Sequence, residues 1–238
     1  MKKVFSYNAD INKTAYLNWR TNEHEPIHNM NVLAQGYMLG ATVMIDDCLV
    51  KNIVDCRADA MIFPILFSFN QAIELYLKSL YWSINILLGY KSGYKENHDI
   101  RGIWLTVKQK VFEFGFNVEG ASEEGFTKMT KTLESYIYEL TDKIKINNDV
   151  NTAFHNIDFS RYPLNNRKEK HFYVTEYDNV VVDLENFLSV VKEVYDTLDR
   201  LAGFYYQLLL IVGKVNNKIF KKVITEMTGI KINHLYKF

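Results

Sequence analysis

The sequence predicts an all-α protein: an antiparallel bundle of long helices, with a small β-hairpin or ordered excursion before the last long helix. Apolar residues recur every three or four positions through several long stretches, which is the period of a helix. Glycines, or serine and aspartate residues of the kind that start helices, separate these stretches. Hydrophobic residues make up 48% of the 238 residues and only three residues are prolines, which argues against a disordered chain.

The composition limits the partners and the location of the protein. Lysine plus arginine total 28 and aspartate plus glutamate also total 28, so any contact with nucleic acid must be local. The two cysteines, Cys48 and Cys56, do not form a CxxC pair and are typical of reduced thiols. The first ten residues lack a signal-peptide pattern, and no uncharged run approaches about 18 apolar residues. We therefore expect a cytoplasmic protein without a membrane segment.

The first 28 residues are expected to form an arm that packs across the body of the protein. His24-Glu25-Pro26-Ile27-His28 matches the HExxH pattern of zinc proteases. That pattern requires both histidines on one helical turn, which Pro26 prevents whether it lies inside the turn or at its first position. We therefore expect no metal ligands here. Residues 29–228 are predicted to form one domain, whose first helix runs from Asn29 to about Lys51, and residues 229–238 a tail.

The central helix is predicted over Ala58–Leu88, and its apolar band is wide enough to need several covering partners. Pro64 predicts that the regular helix begins or kinks there. Glu74 and Lys78 lie four residues apart on this otherwise apolar helix, in the favourable order of acid before base. Two interpretations remain open: an ordinary solvated pair on a helix surface, or a charged patch that lines a cleft.

The next helices are marked by their start and stop signals. His98 and Asp99 begin a helix that Gly115 ends, and Ser122 begins another that extends to about Ile144. Residues 147–177 contain two short β-prone pieces around a charged loop, which predicts a hairpin or an ordered excursion. The last long helix is predicted from about Val180 to Leu210. A shorter helix is predicted over 214–228.

Four segments of this chain resemble the HEPN superfamily of small all-α domains, and the first of them resembles its less studied bacterial branches. Phe69–Lys78 (FNQAIELYLK) resembles the signature of the second helix, and His98–Arg101 (HDIR) resembles the start of the next one. Phe159–Pro163 (FSRYP) resembles an FRYP segment, here with an inserted serine, and Val182–Leu184 resembles the entry to the final helix. The resemblance spans residues 29–210.

The resemblance implies a bundle of four or five antiparallel helices, often paired as a homodimer. Active members cleave RNA without metal, using an arginine followed by four to six residues and a histidine. In this chain Arg20–His24 and Arg167–His171 each enclose only three residues. Other members are binding modules or partners of a protein encoded nearby, in toxin–antitoxin or phage-defence systems. The expectation is a module that binds nucleotide, RNA or a partner protein; the alternative is a divergent endoribonuclease. No cofactor is expected.

His98 and Arg161 are the predicted catalytic pair. RNA cleavage without metal needs a proton acceptor that titrates near neutral pH and a cation that stabilises charge on the phosphorus. We expect both residues to converge with Glu74 and Lys78, either as a site or as a structural polar cluster that holds the excursion to the helices. Further binding residues are predicted in the third helix and in the excursion: Arg101, Tyr162, Arg167 and His171.

Overall fold

A computed structural model describes residues 3–17, 25–90, 93, 97–116, 121–145, 157–162, 164, 168, 170–175 and 179–214. These residues form an all-helical bundle in which no strand is present, as the sequence predicts at the level of fold class. The longer helices are α1 (Pro26–Asp55), α2 (Ala58–Leu87), α3 (Ile100–Phe114), α5 (Lys131–Lys145) and α7 (Leu184–Lys214); the shorter ones are α4 (Glu123–Met129) and α6 (Phe172–Thr175).

Helix α2 is the centre of the bundle. It packs most extensively against α1 and also contacts α3 and α7. Phe69 and Tyr76 of α2 are fully buried, and the Phe69 ring lies 4.8 Å from the ring of Tyr136 in α5 and 5.4 Å from that of Phe187 in α7. Because such rings bury a large apolar area, these contacts tie α2 to two of its neighbours through one aromatic cluster.

Local signals set most helix boundaries where the sequence predicts them. The Asp99 side chain accepts a hydrogen bond from the Gly102 N–H at the start of α3, and Ser122 does the same for Gly125 at the start of α4. Gly115 ends α3 with a φ of 84°, a conformation that favours glycine. Pro64, by contrast, lies inside α2, which begins at Ala58. Pro64 has no N–H to donate to the carbonyl of Ala60, four residues earlier in the helix. Ala60 is exposed, so water can hydrate that carbonyl instead.

The described residues of the excursion before α7 contain two short helical segments and no named strand, so the predicted hairpin is not confirmed. Its first β-prone piece is a 3-10 turn over Ile157–Ser160, and its second is the short helix α6. One antiparallel bridge joins Leu164 to Lys170 and closes the loop between them. Phe159 and Ser160 are buried, and the 3-10 turn contacts α2. Tertiary packing therefore decides the local structure over the β propensity of these residues.

Other predicted features differ in detail. The helix predicted after Ser122 is interrupted at Thr130, whose hydroxyl donates to the Phe126 carbonyl at 2.9 Å, and it continues as α5. Of the helix predicted over 214–228, Lys214 is the last residue of α7, and the remainder and the tail lie outside the described residues. In residues 3–17 of the arm, five large side chains are exposed: Val4, Phe5, Tyr7, Ile11 and Leu17.

Helix α2 is also long and apolar enough, by length and composition alone, to cross a membrane. This differs from the prediction, made from the absence of a long uncharged apolar run, that the chain has no membrane segment. The core helix of a soluble bundle passes the same test, and α2 is covered by α1, α3 and α7. This finding is therefore weak evidence for a membrane segment.

Candidate functional site

The candidate site is built on one face of α2. Phe63, Phe67, Asn70, Glu74 and Lys78 are spaced by three or four residues, so they follow one another along the same side of the helix. Asn70, Glu74 and Lys78 are all buried, although helix positions of this polarity normally face water. The face therefore changes along its length from aromatic near the start of α2 to charged near its middle.

Glu74 and Lys78 form a buried ion pair. The Lys78 Nζ donates to Glu74 Oε1 at 2.7 Å, and their side chains are only 8% and 2% exposed, respectively. Removing two charges from water costs several kcal/mol per ion. The attraction between the two charges offsets part of this cost, and how much it offsets depends on their geometry. The pair is therefore not the solvated helix pair that one interpretation of the spacing suggests.

His98 lies against the same carboxylate. Its Nδ1 is 3.0 Å from Glu74 Oε1 and 3.2 Å from Oε2, while the His98 side chain is 60% exposed. An ionised carboxylate only accepts hydrogen bonds, so Nδ1 carries the proton in this contact. In the neutral ring this leaves Nε2 as the acceptor. The arrangement is a half-exposed histidine whose orientation and tautomer are fixed by a buried carboxylate, as in other histidine–carboxylate pairs.

The position of His98 follows from the start of α3. Asp99 is the N-terminal cap of α3, and His98 is the residue directly before that cap. The Cβ of a residue at Gly102 would lie 2.5 Å from Asp99 Oδ2, so glycine leaves room for the cap. The sequence pattern at 98–102 therefore serves two purposes: it begins α3 and it aims His98 at α2.

Arg161 lies against Phe67, which belongs to the same face of α2 as Glu74. Its guanidinium carbon is 5.6 Å from the centroid of the Phe67 ring and 5.2 Å from that of Tyr162. Phe67 precedes Glu74 by about two helical turns, or roughly 10 Å along the axis. Of the four residues that are predicted to converge, Lys78 and His98 both contact the Glu74 carboxylate. The described contacts of Arg161 are with the Phe67 ring and with Tyr162, to whose hydroxyl its Nη2 donates at 3.3 Å.

The other predicted binding residues have contacts of their own, apart from Arg167. The guanidinium of Arg101, in the first turn of α3, lies 4.7 Å above the Tyr138 ring. Tyr162 is half-exposed beside Arg161. His171 stacks on Tyr173 at 5.8 Å, and its Nε2 is buried without a hydrogen-bond partner in the described part of the chain. Arg167 lies outside the described residues.

Sequence reasoning did not assign three residues to the site: Tyr136, Phe67 and Phe63. The Tyr136 hydroxyl donates to Asn70 Oδ1 at 2.8 Å, and burial raises the pKa of Tyr136 well above 10.0. Phe67 supplies the ring on which Arg161 lies, and Phe63 contacts Tyr173 at 5.0 Å. The signal for both phenylalanines was their spacing to Glu74 along α2. No local pattern marks Tyr136, because its contact with Asn70 is tertiary.

The HExxH pattern lies only partly within the described residues. Helix α1 begins at Pro26 with Glu25 as its cap, so His24 precedes the helix and lies outside the described residues. The His28 ring stacks instead on Tyr206 of α7 at 5.7 Å. No group of three or more histidine, cysteine, aspartate or glutamate side chains suited to a metal ion occurs in the part of the chain that the structure describes.

The fold and the site together define an all-α bundle with a buried carboxylate–lysine pair beneath a half-exposed histidine. Comparison of the chain with models of protein families, with curated proteins and with solved structures finds no match. Function must therefore be argued from the geometry of the site.

Proposed function

We propose that this protein is a HEPN-like cytoplasmic module that binds RNA or a nucleotide along the outer side of the α2 face, between His98 and the excursion. The observation that supports this proposal is His98 itself, which is exposed on one side and held by the buried Glu74 on the other. A buried ion pair is weak support for stability, because well-packed apolar residues often serve equally well. A role in orienting an exposed histidine is a functional reason for this ion pair to lie in the interior.

The surroundings of His98 suit a nucleic-acid ligand. Arg101 and Arg161 each lie against an aromatic ring, Tyr138 and Phe67 respectively. The planar guanidinium presents its N–H groups in a geometry that matches phosphate oxygens in pairs. Half-exposed rings such as that of Tyr162 can stack on bases irrespective of sequence. The balanced total charge requires such a local arrangement.

A second candidate function is metal-independent cleavage of RNA, which the contact between His98 and Glu74 favours. His98 Nε2 would take the proton of a ribose 2′-hydroxyl, whose oxygen would attack the adjacent phosphorus and expel the 5′-oxygen. The leaving oxygen takes up a proton, so the products are a cyclic 2′,3′-phosphate and a 5′-hydroxyl. Glu74 would stabilise the imidazolium that forms, and Arg161 would stabilise the charge on the phosphate oxygens.

The test measures binding and cleavage on the same fluorescent RNA in the presence of EDTA. His98→Ala and Arg161→Ala should each weaken binding by about tenfold, which corresponds to about 1.4 kcal/mol and is typical of a lost charged hydrogen bond. His98→Ala keeps the pair of Glu74 and Lys78, so the variant should fold. Arg200→Ala, an exposed arginine of α7, is the matched control and should bind like the wild type.

The outcomes separate the two candidates. Cleavage that persists in EDTA and is lost in both His98→Ala and Arg161→Ala supports the ribonuclease. Binding without cleavage at high protein concentration supports the module. If the wild-type chain neither binds nor cleaves RNA, and does not bind a nucleotide, both functions are refuted.

A further inference from the structure

The two ring nitrogens of His98 lie in different surroundings. Its Nδ1 is 3.0 Å from Oε1 of Glu74 and 3.2 Å from Oε2, and it carries the proton in that contact. The Glu74 side chain is 2% exposed and that of His98 is 60% exposed, so the exposed part of the ring is the side that carries Nε2. In the neutral ring Nε2 has a free lone pair, which can act as a nucleophile as well as a proton acceptor.

The buried carboxylate beneath the ring would stabilise a positive charge on it. When an electrophile adds to Nε2, the imidazole becomes a cation that keeps its proton on Nδ1. Glu74 accepts the hydrogen bond of that proton, and such a charged hydrogen bond is stronger at a buried carboxylate than in water. Histidine is one of the side chains that form covalent intermediates, and an adjacent group commonly activates it. The contact therefore suits nucleophilic attack by Nε2.

The charges around this histidine allow an anionic electrophile to approach. Two acidic side chains lie beside it, Glu74 by contact and Asp99 as the next residue in the chain. The Lys78 ammonium group neutralises Glu74 at 2.7 Å, and the Asp99 carboxylate accepts a backbone N–H at the start of α3. Arg101, in the first turn of α3, adds a cation whose planar N–H groups match phosphate oxygens. Acids and bases are thus balanced, so a phosphoryl group with up to about two negative charges meets no net repulsion.

We propose that His98 accepts a phosphoryl group on Nε2 from a donor with a phosphorus–nitrogen bond, such as a phosphohistidine of another protein. The Nε2 lone pair attacks the phosphorus, so a bond between Nε2 and phosphorus forms while the bond from phosphorus to the donor nitrogen breaks. The electron pair of the broken bond leaves with the donor nitrogen. The proton on Nδ1 stays in its contact with Glu74, and nothing is oxidised or reduced. Glu74 is a positioning residue in this step, because it acts through the ring.

The experiment treats the full chain with phosphoramidate, the simplest donor of this class. Mass spectrometry of peptides, kept at alkaline pH because phosphohistidine is labile in acid, gives the rate of phosphorylation at each histidine. His28, an exposed histidine of α1 whose ring stacks on Tyr206, is the internal control. We expect His98 to react about tenfold faster than His28, since one charged hydrogen bond is worth at least that factor. Phosphorus NMR should find the group on Nε2 of His98.

Two variants test the contribution of the carboxylate. Glu74→Gln keeps the shape of the side chain but removes its charge, so it should slow the reaction at His98 by about tenfold and leave the rate at His28 unchanged. It also removes the counter-charge of Lys78, which lowers stability. The double variant Glu74→Leu/Lys78→Met removes both buried charges, a change that is often neutral for stability. It should keep the helical circular dichroism, and His98 should then react only as fast as His28.

Three results would overturn the proposal. The first is a wild-type chain in which His98 reacts no faster than His28. The second is a folded double variant that keeps the wild-type rate at His98, and the third is a phosphoryl group on Nδ1 of His98, the nitrogen that contacts Glu74. The reaction contains no RNA, so this proposal goes beyond the proposed function, and the two can fail separately.

Discussion

Replacement of Lys78 by methionine tests whether the ion pair is as buried as the structure shows. Lys78→Met keeps the length of the side chain but removes the ammonium group that donates to Glu74 Oε1. Glu74, whose side chain is 2% exposed, would then keep its charge in the interior with His98 as its described partner. Removal of one partner from a buried pair typically costs 3–5 kcal/mol, because the remaining charge has lost its compensation.

We expect a value of about 3 kcal/mol, at the lower end of that range, because the exposed His98 partly compensates Glu74. For a chain of this size each kcal/mol lowers the melting temperature by roughly 2–4 °C, so a decrease of about 6–12 °C is expected. The measurement is the free energy of unfolding in urea at neutral pH, with the midpoint of thermal unfolding as a second readout. The loss is a large fraction of the roughly 5–15 kcal/mol that stabilises a typical domain.

Two variants make this prediction specific. Lys51→Met removes the cation of an exposed pair with the same four-residue spacing, in which Asp47 retains its contact with Arg57. We expect it to cost less than about 1 kcal/mol. The double variant Glu74→Leu/Lys78→Met removes both buried charges and should recover the wild-type stability to within about 1 kcal/mol. A Lys78→Met chain as stable as Lys51→Met would refute the assignment of a buried pair.

Two further predictions concern Tyr136 and the glycine at the start of α3. Burial raises the pKa of Tyr136 in the folded chain well above 10.0, so the stability it contributes is present below pH 10.0 and is lost as the pH rises above the value of the unfolded chain. Tyr136→Phe should therefore cost about 1 kcal/mol at pH 7 and less at pH 10.5, measured by urea unfolding; an equal cost at both would contradict this. Gly102→Ala should destabilise by about 1 kcal/mol, because its Cβ displaces the Asp99 cap, whereas Gly203→Ala, in open space, should stabilise slightly. Equal effects of the two alanines on urea unfolding would show that the cap is unimportant.

The parts of the fold that the sequence predicts well are those with a local cause. Asp99 and Ser122 begin α3 and α4 as expected because an N-terminal cap needs only a side chain and a neighbouring backbone N–H. Gly115 ends α3 for a similarly local reason. The local structure of the excursion was harder to predict. Its residues have β propensity, but they form a 3-10 turn and α6 once Phe159 is buried beside α2. No local pattern reports that tertiary contact.

In the candidate site, too, some contacts follow from local sequence spacing and others depend on tertiary structure. The pairing of Glu74 with Lys78 follows from spacing on one helix, and the approach of His98 follows from its place before the α3 cap. The position of Arg161 depends on how the excursion crosses α2, which no sequence spacing determines. Its aromatic contacts with Phe67 and Tyr162 could be found only in the structure.

The buried side of helix α1 could not be predicted from the sequence. Apolar residues occur on all of its sides, so periodicity predicts a helix without telling which side is buried. The usual explanation of such a helix is a position in the middle of a core, with neighbours all around it. In this chain α2 and α7 cover one side, and Leu39 and Val43 remain exposed on the other. The all-round apolar pattern of α1 therefore does not identify its buried side, which only the contacts with α2 and α7 in the structure establish.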